Sequence, residues 1–196
     1  MLEKEITSKV RNYAIENSEK GDIHGFPHVV RVHDICLQLG KELGANMLIL
    51  KIAAFLHDIG RIKEKQNISK RNHAEISAEI ASKFLKSNDF NLSEVEIDNI
   101  IHCIRSHSFS NSIVPRTLEA KILSDADKLD ALGAIGLYRT IGFTIMKNGG
   151  LDQVIEHLEN KILKLKDIMY LDISKKIAEE REQIICDFFR KILNQK

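Results

Sequence analysis

The segment Ile52-Ala53-Ala54-Phe55-Leu56-His57-Asp58-Ile59-Gly60 constrains this chain more than any other. It is apolar on nearly every face, so whatever it forms belongs to an interior. Yet it carries an imidazole and a carboxylate side by side, and burying an unpaired charge is costly. Two arrangements meet that demand. A divalent cation offsets the carboxylate and takes up the lone pair of the ring nitrogen, or a buried hydrogen bond between His57 and Asp58 staples a core. These residues alone leave both open, because structural pairs perturb buried groups as catalytic ones do.

The surrounding chain is read as helical throughout. Only Pro27 and Pro115 interrupt it, and the long runs between breakers carry apolar residues at helical rather than alternating spacing. Helices are expected over about 3–18, 27–43, 45–60, 72–86, 93–107, 117–132, a continuation to about 147 bending at Gly133 and Gly136, 151–167 and 173–194. Ser93, with Glu96 three residues on, reads as a capping box. Arg61 to Lys70 reads as a polar link whose position suits a lid over a site. The 196 residues suffice for one compact all-α domain, and no repeat or linker composition divides them.

Composition excludes several partners. With 29 basic and 28 acidic residues the net charge of +1 offers no field for long nucleic acid or an anionic membrane. No apolar run approaches a membrane span, and the start of the chain is charged, so the cytoplasm is the expected compartment. Cys36, Cys103 and Cys186 form no paired motif and are expected as core filler. Phe188-Phe189 suit either a core or a contact between two copies of the chain.

Helical phase sorts the histidines, because residues three, four and seven apart share a face. His28 heads the stripe Val32, Ile35, Leu39, Leu43; His73 heads Ile76, Ile80, Phe84; His107 continues Ile97, Ile100, Ile101, Ile104. His33-Asp34 repeats the His-Asp dipeptide on an exposed flank and serves as an internal control, while His102 points away and His157 lies among polar residues. Asp127 and Asp130 share one edge of the sixth helix; Asp125 and Lys128 share another. Several helices thus each send a histidine to the end of an apolar stripe and another brings carboxylates, which is how helical bundles build cofactor sites. Nitrogen and oxygen donors without thiolate suit Mn²⁺, Fe²⁺, Co²⁺, Ni²⁺, Zn²⁺ or Mg²⁺.

The order His28, His57-Asp58, Asp127 resembles the signature of the HD-domain superfamily of metal-dependent phosphohydrolases, all-α bundles. The flanks His24-Gly25-Phe26-Pro27-His28, Leu56-His57-Asp58-Ile59-Gly60, His73 to Ser77, His107-Ser108-Phe109-Ser110 and Asp125-Ala126-Asp127-Lys128-Leu129-Asp130 resemble its small single-domain bacterial branch. The resemblance implies that His28, His57, Asp58 and Asp127 hold one divalent metal. In some branches two further histidines hold a second metal, and His73 and His107 occupy matching places; the same two rings could instead face the phosphates of a substrate. The chain lacks the Gly-Tyr-Pro signature of the cyclic-dinucleotide phosphodiesterase branch.

On that resemblance the expected activity is hydrolysis of a small phosphorylated metabolite, a nucleoside triphosphate cleaved to monophosphate and pyrophosphate. Nucleoside monophosphate phosphatase action is the near alternative, and a non-catalytic nucleotide sensor is a separate class. Asp58 or Asp130 would orient water, and Lys128, Arg61 and Lys63 would neutralise phosphate charge, with Glu64 a further proton acceptor. A purely structural helical protein with a stapled His-Asp core predicts no dependence on metal.

Overall fold

The computed structural model describes residues 1–66 and 71–196. Every regular element in it is helical, which bears out the all-α expectation. The chain divides into two compact units, Met1–Ser124 and Asp125–Lys196.

The first unit contains α1 (Glu3–Asn17), α2 (Phe26–Leu43), α3 (Met47–Leu56), α4 (Arg61–Gln66), α5 (His73–Ser87), α6 (Glu94–Ser106) and the first part of α7 (Leu118–Asp130). Its centre is α3. The helix starts because the Asn46 side chain accepts from the Leu48 and Ile49 amides, at 3.1 and 3.2 Å, satisfying donors that have no partner inside the helix. Ile49, Leu50, Ile52, Ala53, Ala54, Phe55 and Leu56 are all buried, as the apolar sequence requires. α3 packs against α1, α2, α5 and α6. Burying each of its large aliphatic side chains contributes about 1.5–3 kcal/mol.

The face of α2 is rotated slightly from the one read off its apolar residues. Cys36 and Gly40 are buried, whereas Ile35 is half-buried and Leu43 exposed. Gly40 explains the turn: a Cβ there would run into the Leu50 side chain, so α2 and α3 approach through the position with no side chain. Asn72 caps α5 and Ser93 with Glu96 forms the expected capping box of α6.

The stretch after Gly60 differs from the polar link that was expected. Arg61–Gln66 is helical, because the Glu64 amide bonds to the Gly60 carbonyl at 2.9 Å and continues the turn begun at His57. The lid reading extended over residues 67–70, which lie outside the described residues.

The second unit holds the end of α7, α8 (Gly133–Met146), α9 (Leu151–Asn160) and α10 (Asp172–Gln195). Gly133, at φ +73°, separates α7 from α8, a left-handed conformation that favours glycine. α8 packs against α9 and α10. The helix expected to reach residue 167 stops at Asn160 and continues as two 3₁₀ turns, Ile162–Lys164 and Lys166–Ile168. Their repeat of three residues puts Ile162 and Leu165 on one buried side. Asp125 ties α7 to α10: its carboxylate accepts from the Tyr170 amide at 3.0 Å and the Leu171 amide at 2.9 Å. No helix among the described residues is long and apolar enough to cross a membrane.

Candidate metal centre

Four helix ends of the first unit deliver four imidazoles to one carboxylate. His28 lies in the first turn of α2, whose entry is set by Pro27. His57 is the C-cap of α3, with Asp58 next to it; His73 is the first residue of α5; His107 is the C-cap of α6. The apolar stripes behind them drive the helices inward, and the histidines arrive buried. His28, His57 and His107 have no exposed surface, and Asp58 and His73 are 3% and 7% exposed.

Asp58 stands between two pairs of rings. Its Oδ2 lies 3.5 Å from His28 Nε2 and 3.6 Å from His57 Nε2, and its Oδ1 lies 3.5 Å from both His73 Nε2 and His107 Nε2. Within each pair the two Nε2 atoms face one another, at 3.4 Å for His28 and His57 and 3.3 Å for His73 and His107. Each pair with one oxygen of Asp58 is close enough to ligate a single ion.

The hydrogen bonds behind the rings test whether a cation fits. His57 Nδ1 is 2.7 Å from the Ala54 carbonyl and His107 Nδ1 is 2.6 Å from the Ile104 carbonyl. A carbonyl only accepts, so each Nδ1 carries a proton, and the neutral form of each ring, the form that ligates a metal, turns the lone pair of Nε2 inward. His73 Nδ1 faces Glu64 Oε1 at 3.4 Å, and its amide donates to the same oxygen at 2.8 Å. Burial pushes the His73 imidazole below its ordinary pKa despite the Glu64 carboxylate. Its place at a helix N-terminus acts in the same direction. Asp58 Oδ1, between His73 and His107, is buried and has no hydrogen-bond partner among the described residues. Three inward lone pairs repel one another unless a cation lies among them. The donor set therefore fits a divalent metal, and its nitrogen and oxygen chemistry suits a transition ion.

Oδ2 differs from Oδ1, because Arg61 Nε donates to it from the first residue of α4. Burial alone would raise the Asp58 pKa, but the Arg61 guanidinium beside Oδ2 holds the carboxyl well below the usual range. Glu64, expected as a proton acceptor, is occupied in orienting His73, and that contact lowers its pKa.

Gly60 allows α5 to come this close. A Cβ there would lie 2.6 Å from the Ser77 amide nitrogen and 2.7 Å from the His73 carbonyl oxygen, and the Gly60 amide donates to Ser77 Oγ at 2.9 Å. Neither the Ser77 contact nor the Glu64 brace was read from the sequence, since both join segments remote in phase from the histidine stripes. The run from His73 to Ser77 within the family-like motif was the available signal.

Lys63 is exposed and lines an open cleft of about 460 Å³ with Tyr13, Arg71, Ile76 and Lys83. In the second unit, Asp127 is half-buried, while Lys128 and Asp130 are buried. Asp130 Oδ2 accepts from Arg139 Nη1 at 2.7 Å. Lys128 Nζ lies 3.8 Å from Asp125 Oδ1 and 5.0 Å from the Tyr170 ring centre, and burial lowers its pKa. The control dipeptide is exposed only in part: His33 Nδ1 and Asp34 Oδ1 are 3.0 Å apart and Asp34 is exposed, but His33 is half-buried and stacks on the Phe55 ring, 4.3 Å between centres. His102 accepts the Arg116 amide, and His157, expected at the surface, is half-buried against Phe143.

Comparison with known proteins agrees with this geometry. The sequence pattern of the HD domain matches residues 25–132. The chain is 30% identical over 177 residues to the protein YpgQ of Bacillus subtilis (strain 168), covering 86% of this chain and 82% of that one. The crystal structure of YpgQ in complex with ADP superposes with a TM-score of 0.79 at 27% identity, covering 100% of this chain and 97% of YpgQ. An HD-superfamily hydrolase from Bacillus thuringiensis gives a TM-score of 0.76 at 28% identity, covering 99% and 98% of the two chains. With Asp58 of its His-Asp pair among four buried imidazoles, and with these relatives, the chain belongs to the HD domain family.

Proposed function

We propose that this protein is a divalent-metal-dependent phosphohydrolase whose substrate is a nucleotide, a triphosphate cleaved to monophosphate and pyrophosphate. The observation that carries the reading is the placement of Asp58 between two pairs of imidazoles, one ring of each pair, His57 and His107, being oriented by the Ala54 and Ile104 carbonyls. The nucleotide is supported by the ADP complex of YpgQ, a protein of similar fold.

A divalent cation held by this set would supply a Lewis acid for a phosphoryl oxygen and a more acidic water near neutral pH. His28, His57 and Asp58 would hold the first ion. His73 and His107 place their Nε2 atoms 3.5 Å from Asp58 Oδ1, within reach of one ion, which favours a second cation there over direct contact with anionic phosphate. Arg61, 20% exposed at its side chain, adjoins Asp58 and supplies positive charge for phosphate, with Lys63 further along the same helix. Asp127 as a ligand, Lys128 as a phosphate contact and Asp130 as a water-orienting group enter through the family resemblance.

Metal-stripped protein reloaded with Mn²⁺, Co²⁺, Ni²⁺ or Mg²⁺ and offered nucleoside tri-, di- and monophosphates tests the proposal. Metal-dependent release of pyrophosphate, abolished in Asp58→Ala with the fold retained, is the expected result. Inorganic phosphate from monophosphates would move the reading to a nucleotidase, and tight metal binding without turnover would make the protein a sensor. Asp127→Ala, Lys128→Ala and Asp130→Ala, scored separately for metal content and turnover, test the three residues of the second unit.

A further inference from the structure

Most phenylalanine rings of this chain meet another ring inside the protein. Phe26 stacks on Phe55, Phe84 meets Tyr13 and Phe90, and Phe143 meets His157. Phe109 is instead the one exposed phenylalanine among the described residues, at 59%. It stands two residues beyond His107, so its Cα lies no more than about 7 Å from the Cα of a member of the buried imidazole cluster. A single exposed apolar residue is ordinary in itself; the way this one is held is not. Its 3₁₀ turn, Phe109–Asn111, is tied to the ends of both helices that carry His73 and His107. Asn72, the residue before His73, donates from Nδ2 to Ser110 Oγ at 2.9 Å, and Ser110 shares a hydrogen bond with Ser108 at 3.0 Å. Asn111 Nδ2 donates to the Arg105 carbonyl in the last turn of α6 at 2.8 Å and to Glu75 Oε1 in the first turn of α5 at 3.1 Å. Ser112, at φ +53°, ends the turn in the left-handed region that a residue with a Cβ seldom adopts. Several polar side chains thus fix a segment whose own phenyl group remains in solvent.

We infer that Phe109 is the platform on which the base of a nucleotide substrate stacks, a substrate-binding residue of the site built on Asp58. The inference rests on the nucleotide reading above and adds to it the contact that recognises the nucleoside. A ring on a turn that is already ordered gives up little conformational freedom when a base covers it, so the apolar area it buries goes into affinity. Its place suits cleavage between the α and β phosphates. There only the ribose separates the base from the reacting phosphorus, whereas hydrolysis at a γ-phosphate would set the base two phosphates farther from the ions. Every base has a π face, so the platform distinguishes nucleotides from base-free phosphates without choosing strongly among bases.

The chain contains no tryptophan, so Phe109→Trp places a single such fluorophore at the platform. In the full chain loaded with Mg²⁺, ATP and GTP should quench its fluorescence saturably, and tripolyphosphate, which has the charge but no ring, should not. Val95→Trp, at a position 79% exposed in the first turn of α6 and so at the end away from His107, should show no saturable quenching. With whichever ion of the panel above supports turnover, Phe109→Ala should raise KM for a nucleoside triphosphate about tenfold, the scale of one lost base stack, and leave kcat within about twofold. Phe109→Tyr should restore KM. A purely structural Phe109 would instead lower Tm and kcat together. Absence of quenching in Phe109→Trp, equal quenching by tripolyphosphate, or an unchanged KM in Phe109→Ala would each overturn the inference. Should Phe109→Trp fail to fold, the KM and kcat of Phe109→Ala and Phe109→Tyr decide alone. Turnover without these responses removes Phe109 and leaves the phosphohydrolase reading; saturable quenching by nucleotides without turnover keeps Phe109 and removes that reading.

Discussion

The Gly60 amide donates to Ser77 Oγ at 2.9 Å, and a Cβ at Gly60 would lie 2.6 Å from the Ser77 amide nitrogen. This contact holds the first turns of α5 against the His57-Asp58 turn and sets where His73 stands. Gly60→Ala forces the two segments apart. The expected cost is about 1–3 kcal/mol of stability, the range for overpacking a dense interior, together with weakened Mn²⁺ binding. Ser77→Ala removes only a hydrogen bond, costs about 1 kcal/mol and leaves Mn²⁺ binding within a few-fold. Chemical denaturation and metal titration of both variants distinguish the two.

The imidazole cluster predicts that metal stabilises the fold. Ions that bind the native state alone raise stability by about 2.7 kcal/mol at a hundred times their dissociation constant. Addition of Mn²⁺ to stripped protein should therefore raise Tm, and His107→Ala should reduce the rise. His33→Ala, in the look-alike dipeptide outside the cluster, should leave it unchanged. An equal response in both variants would mean that the ions act away from the buried cluster.

The capping box at α6 gives a pH dependence of known sign. Glu96 accepts from the Ser93 amide at 2.9 Å and from its hydroxyl at 2.8 Å, and these bonds lower the Glu96 pKa. A carboxyl depressed in the folded state stabilises above its unfolded pKa, and that contribution is lost as pH falls through the folded value. The stability difference between the parent and Glu96→Gln should be present at pH 7 and vanish in acid. Ser93→Ala should cost about 1 kcal/mol at pH 7. A difference independent of pH would remove the charge from the explanation.

Burial decides the thiol chemistry. Cys103 lies wholly inside and its thiol is pushed up to about 12, chiefly by desolvation, while Cys36 is buried and Cys186 half-buried. A thiol-specific disulfide reagent at pH 8 should react with Cys186 alone in native protein, and with all three cysteines after denaturation. Rapid native reaction of Cys103 would show that the α6 core opens on the time scale of the assay.

Much of this was legible in the sequence because helical phase is a local property. The spacing of apolar residues placed α1, α2, α5, α6 and α10 within a residue or two of their ends, and it separated the buried His28, His73 and His107 from His33 and His102. The His57-Asp58 pair announced itself by being charged where everything around it was apolar. What the sequence by itself determined, then, was the all-α class, which histidines point inward, and a donor set suited to a metal. Only the tertiary structure decided that the four rings form two pairs on the two oxygens of a single carboxylate, that Glu64 braces His73, that Arg61 takes Oδ2 and that Gly60 lets α5 close on α3. The physical reason is range. Which face a residue occupies follows from neighbours three or four positions away, but which oxygen it meets depends on how helices far apart in the chain pack, and packing at van der Waals contact is set by side-chain volumes that no periodicity records.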